Sequence, residues 1–141
     1  MSLSTCIRTD VITASPNDSV REIAQLMERN NVGSVVITRE ERPVGIVTDR
    51  DLVLRVTAKE KDPKRTLVAD VMTRDPIVVS DDAGIFDVVE CARDRKIRRI
   101  PVVGANNKLV GIIAMDDVVS LLTDEMNCVN DIIRCAGPEV M

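Results

Sequence analysis

Apolar residues along this chain follow two periodicities that recur in the same order twice. Val20, Ile23, Ala24 and Met27 lie at i, i+3, i+4 and i+7, and Ile85, Val88, Val89 and Ala92 repeat that spacing. A 3.6-residue period gathers each set onto one stripe, which predicts two amphipathic helices facing a core. Ser19 and Glu22 add an S-x-x-E capping box to the first. Ahead of each helix stands a short β-rich segment, DVIT and then PIVV. Behind each come two apolar segments separated by a polar turn, VGSVVIT and PVGIVT in one half, RIPVV and KLVGIIA in the other. These read as strands. A second helix is predicted from about Arg50 to Ala58, and its counterpart from about Asp116 into the tail.

An offset of 65 lays Asp75 and Ile77 on Asp10 and Ile12, Ser80 on Ser15, Ile97 on Val32 and Ile100 on Val35. One inserted residue, at TREERP against VGANNK, raises the offset to 66. Val110, Gly111, Ile112, Asp117 and Val119 then fall on Val44, Gly45, Ile46, Asp51 and Val53. The chain is one β-α-β-β-α unit written twice, with a period too long for a solenoid. The expected fold is α/β (α+β), with tandem units at 5–58 and 70–123 and a charged connector at 59–69. A helical tail, 124–141, follows; its apolar Met126, Val129, Ile132 and Ile133 keep a helical spacing. One unit alone leaves sheet and helix faces uncovered, so the two are expected to pack on each other around a shared core.

Composition narrows the chemistry. The chain has 141 residues, 45% of them hydrophobic, and a net charge of −4. That charge offers no general attraction to nucleic acid or an anionic membrane, so any anion site must be a local cluster. No apolar run approaches the roughly 20 residues of a membrane span. The opening MSLSTCIRTD lacks signal-peptide character, so a cytoplasmic location is expected. Histidine, tyrosine and tryptophan are absent and Phe86 is the one aromatic residue. His-dependent nucleophile systems and most zinc sites are thereby excluded, and base stacking on aromatic platforms is disfavoured. Cys6, Cys91, Cys128 and Cys135 form no CxxC pair and read as reduced structural thiols, the last two in a packing seam.

Thr48-Asp49-Arg50-Asp51 stands where a strand ends and a helix begins. Thr48 and Asp51 fit a plain T-x-x-D capping box; the same helix start also offers free N–H groups to an anion. The second copy reads Ala114-Met115-Asp116-Asp117 and has lost the hydroxyl.

The doubled unit, with DVMTRDPIVV, KIRRIPVV and VGIVTDRDL, closely resembles the CBS domain (cystathionine β-synthase domain), two copies of which form a CBS pair or Bateman module. The resemblance spans residues 5–123 and is similar in wording to small stand-alone CBS-pair proteins of bacteria and archaea. It implies a pseudo-two-fold pair, with no catalysis and no required cofactor. It further implies a regulatory adenosine-containing ligand, AMP, ADP or ATP, ahead of S-adenosylmethionine or NAD. A regulated protein partner is implied as well, and a homodimer formed through helical faces, here Leu52, Val53, Val56, Val118, Val119 and Leu122. A ligand-free pair serving only association is the alternative.

On that resemblance the main cleft holds phosphate with Thr48 and with Arg98 and Arg99 from KIRRIP, whose other reading is a solvated charge pair. Asp51 would accept from both ribose hydroxyls. Ile46, Ile77, Val78 and Pro101 would surround the adenine. The second cleft, at Ile12, Gly33, Ser34, Ile112 and Asp117, is expected to bind more weakly. There Ala114 has no hydroxyl, Val32-Gly33-Ser34-Val35 has no cation, and Asp116 repels phosphate.

Overall fold

The computed structural model describes residues 3–93, 95 and 97–136. Helix α1 spans Val20–Asn30; Ser19 caps it by accepting from the Glu22 N–H at 3.2 Å. The next two orphan donors of its first turn are met by the connector: Val20 N–H reaches Thr66 O at 2.9 Å and Arg21 N–H reaches Pro63 O at 3.1 Å. Asn31, left-handed at φ 51°, closes the helix. Val20, Ile23 and Met27 are buried as expected. Ala24 is exposed, and Leu26 packs against the core from the other flank of the stripe.

Helix α2, Asp49–Leu52, continues into a π-helical turn, Val53–Thr57. Helix α3, Ile85–Arg93, buries Val88 and Ala92, and α4 runs unbroken from Met115 to Ala136. The strands are β1 Ile7–Arg8, β2 Thr13–Ala14, β3 Ser34–Arg39, β4 Arg42–Thr48, β5 Thr73–Arg74, β6 Val79–Ser80, β7 Arg99–Val103 and β8 Leu109–Ala114. In each half a short strand lies parallel to the next across a helix, β2 to β3 and β6 to β7. A hairpin follows, β3 with β4 and β7 with β8.

Strands β1 and β5 have no counterpart in the apolar pattern, and each pairs with the opposite half. The sheets run β2-β3-β4-β5 and β1-β8-β7-β6. Strand β1 lies antiparallel to β8 with Ile7 opposite Ile113, and β5 antiparallel to β4 with Arg74 opposite Gly45. The 3-10 turns just ahead of them, Leu3–Cys6 and Val68–Asp70, make the same exchange. Leu3 and Cys6 join Val88, Ile100, Val102 and Ile113 in one buried cluster; Val68 and Val71 join Ile23, Val35, Ile37 and Val47 in another. There are thus two cores, one per half, rather than the single shared core the pattern suggested. Each is completed by a segment from across the duplication.

Close approach of the exchanged strands accounts for Gly45 and Gly111. A Cβ on Gly111 would collide with Ile7 Cγ2 and stand 2.7 Å from the Arg8 carbonyl oxygen. On Gly45 it would collide with the Met72 thioether. Cys6 is buried and Cys91 half-buried, but Cys128 and Cys135 are exposed on α4, so the expected packing seam is not formed among the described residues. No helix among the described residues is long and apolar enough to cross a membrane.

Gly111→Ala should destabilise the protein by about 1–3 kcal/mol, an overpacking penalty. Gly45→Ala should cost less, because unbranched Met72 can swing aside whereas the Arg8 carbonyl is backbone. Denaturant midpoints of the two variants check this. Equal midpoints would remove strand exchange as the reason for Gly111.

Candidate ligand clefts

The antiparallel registers place Ser34 opposite Thr48 on β3 and β4, and Arg99 opposite Ala114 on β7 and β8. These four residues mark the ends of two hairpins, and from those ends α2 and α4 depart. The hairpin ends face each other across a cleft of about 610 Å³ lined by Gly33, Ser34, Thr48, Asp49, Arg50, Arg98, Arg99 and Asp116. Gly33 and Ser34 are the pseudo-equivalents of Arg98 and Arg99, and Arg50 that of Asp116, so the cleft straddles the pseudo-two-fold relation. Its lining carries three guanidinium groups against two carboxylates.

Two smaller cavities flank it. One, about 270 Å³, has Ile46, Pro76, Ile77, Ile97 and Pro101 as its apolar lining, with Thr73, Asp75, Arg95 and Arg99. The other, about 200 Å³, has Val11, Ile12, Val32, Ile112 and Ala114 with Arg8, Asp10, Asn31, Gly33, Ser34 and Arg99. The duplication offset carries Ile12 to Ile77, Ile112 to Ile46, Val32 to Ile97, Asp10 to Asp75 and Arg8 to Thr73. They are the same cavity in two copies with different lining. Arg99 borders all three spaces.

Thr48, Arg98 and Arg99 come together as expected, and so do Ile46, Ile77 and Pro101. Val78 does not. It borders a separate pocket with Arg42, Val44 and Val103, because neighbouring residues of an extended segment point to opposite sides. Asp51 is brought close to Thr48 but is committed to the cap. Thr48 N–H donates to Asp51 Oδ2 at 2.9 Å, and Asp51 N–H donates to Thr48 Oγ1 at 3.2 Å. Arg55 Nη2 stands 3.8 Å from Asp51 Oδ1. The Thr48 hydroxyl accepts in this box and keeps its own proton to donate, so capping and anion binding are compatible. Lys96 lies outside the described residues.

In the second cleft Ile12, Gly33, Ser34 and Ile112 line the cavity together, but Asp117 is engaged elsewhere. Arg8 grips it in a fork, Nε to Oδ2 at 2.7 Å and Nη2 to Oδ1 at 2.9 Å. This hydrogen-bonded guanidinium holds the Asp117 carboxyl below the ordinary carboxylate range, against the opposing effect of desolvation, and Arg99 adds a smaller attraction. Two expectations are corrected here. The second cleft does contain cations, since Arg8 arrives on the exchanged strand β1 and Arg99 reaches it across the hairpin ends. Asp116 borders the central cleft rather than the second cavity, because it leads α4 at the pseudo-two-fold. Arg8, Thr73 and Asp75 escaped sequence reasoning as lining residues. The offset that sets Arg8 against Thr73 was the available signal.

The architecture is that of a duplicated α/β module with clefts between its halves. The chain belongs to the CBS-domain family: the sequence profile of the CBS domain matches residues 3–58 and 68–124. A protein of Methanopyrus kandleri is 39% identical over 122 residues, 86% of this chain, which spans 62% of that relative's length. The CBS domain-containing protein YhcV of Bacillus subtilis is 36% identical over 117 residues, 83% of this chain and 82% of that one. Among solved structures, a CBS domain protein from Pyrobaculum aerophilum in complex with AMP is similar with a TM-score of 0.75 and 28% identity. That match covers 83% of this chain and 89% of the other.

The Arg8–Asp117 pair makes stability depend on acid. A carboxyl depressed in the folded state stabilises the fold above its unfolded pKa, about 4, and loses that effect as pH falls through the lower folded value. Arg8 is 61% exposed, so the contribution near neutrality is about 1 kcal/mol or less. Arg8→Ala should therefore melt below wild type at pH 6–7, the gap closing below about pH 4. A gap unchanged down to pH 2 would assign the stabilisation to packing of the arginine stem instead.

Proposed function

We propose that this CBS-pair regulatory module binds an adenosine-containing ligand, AMP, ADP or ATP, between its two units, 5–58 and 70–123, and has no catalysis of its own. The observation that carries the reading is an apolar side cavity that shares Arg99 with a cleft lined by three guanidinium groups. An adenine fits between Ile46, Ile77 and Pro101, since backbone groups can read its edge and aliphatic walls can hold its faces. The phosphates fall to Arg98 and Arg99, whose planar forks suit them, and to the Thr48 hydroxyl. Asp51 would offer a ribose hydroxyl only Oδ1, the oxygen that stands 3.8 Å from Arg55 Nη2. In the second cleft a ribose would have to displace Arg8 from Asp117, so Ile12, Ile112, Gly33 and Ser34 form the weaker site. The AMP complex of the Pyrobaculum relative supports the ligand class.

A second reading, self-association without ligand, draws on exposed apolar helix residues. Val53 is 57% and Val119 60% exposed, and Leu54, next to Val53 in the chain, is exposed as well. Val56 and Val118, expected on that face, are core residues. We propose a homodimer on the remaining surface, compatible with ligand binding.

Calorimetry with AMP tests the ligand reading. Wild type should bind with one clearly tighter site per chain, and Arg99→Ala should weaken it by about 1.5–3 kcal/mol, ten- to a hundred-fold. Arg99 is half-buried at a cleft edge, so the variant should fold. Equal affinity in both proteins would remove Arg99 from the site. No saturable heat or melting shift with AMP, ADP or ATP in wild type would favour the ligand-free reading.

A further inference from the structure

The two side cavities differ most at the residue that the exchanged strand brings to each. Arg8 on β1 lies opposite Ile112 of β8, next to Gly111. A Cβ on Gly111 would stand 2.7 Å from the Arg8 carbonyl oxygen, so the backbone at Arg8 is held closely against the cavity wall. From there its side chain lines the second cavity with Ile12, Ile112 and Ala114. It also reaches Asp117, Nε to Oδ2 at 2.7 Å and Nη2 to Oδ1 at 2.9 Å, so both carboxylate oxygens are taken. Asp10 and Asp116 attract the same guanidinium more weakly.

The first copy lacks this lock. Thr73 on β5 stands where Arg8 stands and lines the equivalent cavity, but it carries no charge and no fork. Asp51 meets Arg55, from its own helical run, through one oxygen at 3.8 Å. Its partner therefore does not come from the cavity side.

Resting on the nucleotide reading proposed above, in which each helix-start carboxylate meets a ribose, we infer that Arg8 is the specificity-determining residue of the module. By occupying Asp117 it shuts the second cleft to a nucleoside with a free ribose diol. An ionised carboxylate only accepts, and an acceptor engaged at both oxygens has nothing to offer two hydroxyls until the guanidinium leaves. Ala114 does not account for this. The hydroxyl it lacks would have met a phosphate, as that of Thr48 does in the proposed main site, so its loss leaves the ribose contact untouched. Charge repulsion does not account for it either, since Arg8 and Arg99 both line the cavity.

Adenosine is the probe, because without a phosphate it neither gains nor loses by the charge of Arg8. Amide shifts of the isotope-labelled full chain read the two cavities separately, Ile12 and Ile112 for the second, Ile46 and Ile77 for the main one. In wild type, adenosine should move Ile46 and Ile77 at lower concentration than Ile12 and Ile112. Arg8→Thr, which copies Thr73, should tighten the response at Ile12 and Ile112 by about fivefold, the strength of an exposed ion pair. The response at Ile46 and Ile77 should stay as it was. 2′-Deoxyadenosine should show less of this gain, and adding Asp117→Ala should abolish it. Ala114→Thr with Arg8 in place should give no gain. Arg8 is exposed, so Arg8→Thr should fold; Arg8→Met keeps the stem on β1, removes only the fork, and should open the cleft in the same way. An unchanged response at Ile12 and Ile112 in both Arg8 variants would overturn the inference, as would an equal gain in Ala114→Thr. Silence at Ile46 and Ile77 with AMP as well as adenosine would overturn the nucleotide reading of the main cleft, while Arg8 stands or falls on Ile12 and Ile112.

Discussion

Each half of this protein closes its sheet and fills its core with a segment that, along the chain, stands ahead of the other half. Leu3 and Cys6 are buried among the residues of the second hairpin, and Val68 and Val71 among those of the first. The edge strands β1 and β5 ride on those segments and occupy the outer edges of β8 and β4 that would otherwise expose unpaired backbone groups. Neither half is therefore a complete folding unit. The hairpin glycines, the orientation of the two halves and the clefts between them all depend on this exchange.

The same exchange makes two copies of one backbone chemically unequal. Asp51 and Asp117 are equivalent carboxylates at equivalent helix starts. Asp51 is met loosely by Arg55 from its own helix, while Asp117 is gripped in a fork by Arg8 from the exchanged strand. Where Arg8 stands in one cavity, Thr73 stands in the other. Thr48 against Ala114 and Ser34 against Arg99 add to the divergence. A duplicated site that keeps its shape but redistributes its charges can hold different ligands, or the same ligand with different affinity. Arg99 belongs to both sides, so an anion that draws it one way changes the field on the other.

Beyond the body the logic reverses. The first turns of α4 are held by Val118 and by Cys6, and from Thr123 to Cys135 the helix is exposed. Met126, Val129, Ile132 and Ile133 keep a helical spacing and stand exposed along it. The body and the tail thus answer to different constraints: the first to close packing between the halves, the second to helical spacing alone.

Much of the body was legible from residues alone because its signals are local. The stripes of α1 and α3, the apolar runs of β3, β4, β7 and β8, the Ser19 cap and the Thr48–Asp51 box each depend on neighbours within a few residues, where helix and strand periods impose visible spacing. The duplication was legible because one offset relates all of them; the gathering of Thr48, Arg98 and Arg99 came from the resemblance to the CBS pair. What escaped was non-local. Two-residue strands such as β1 and β5 are too short to leave a period, and pairing of Ile7 with Ile113 or Arg8 with Asp117 joins parts of the chain more than a hundred residues apart. Exposure of Ala24, burial of Val56 and the outward turn of Val78 follow from what lies opposite each side chain. The sequence by itself determined which elements form and that they form twice. Only the tertiary structure decided whose core each segment completes, and hence which cation reaches which cleft, because that choice rests on contacts between halves that no local pattern encodes.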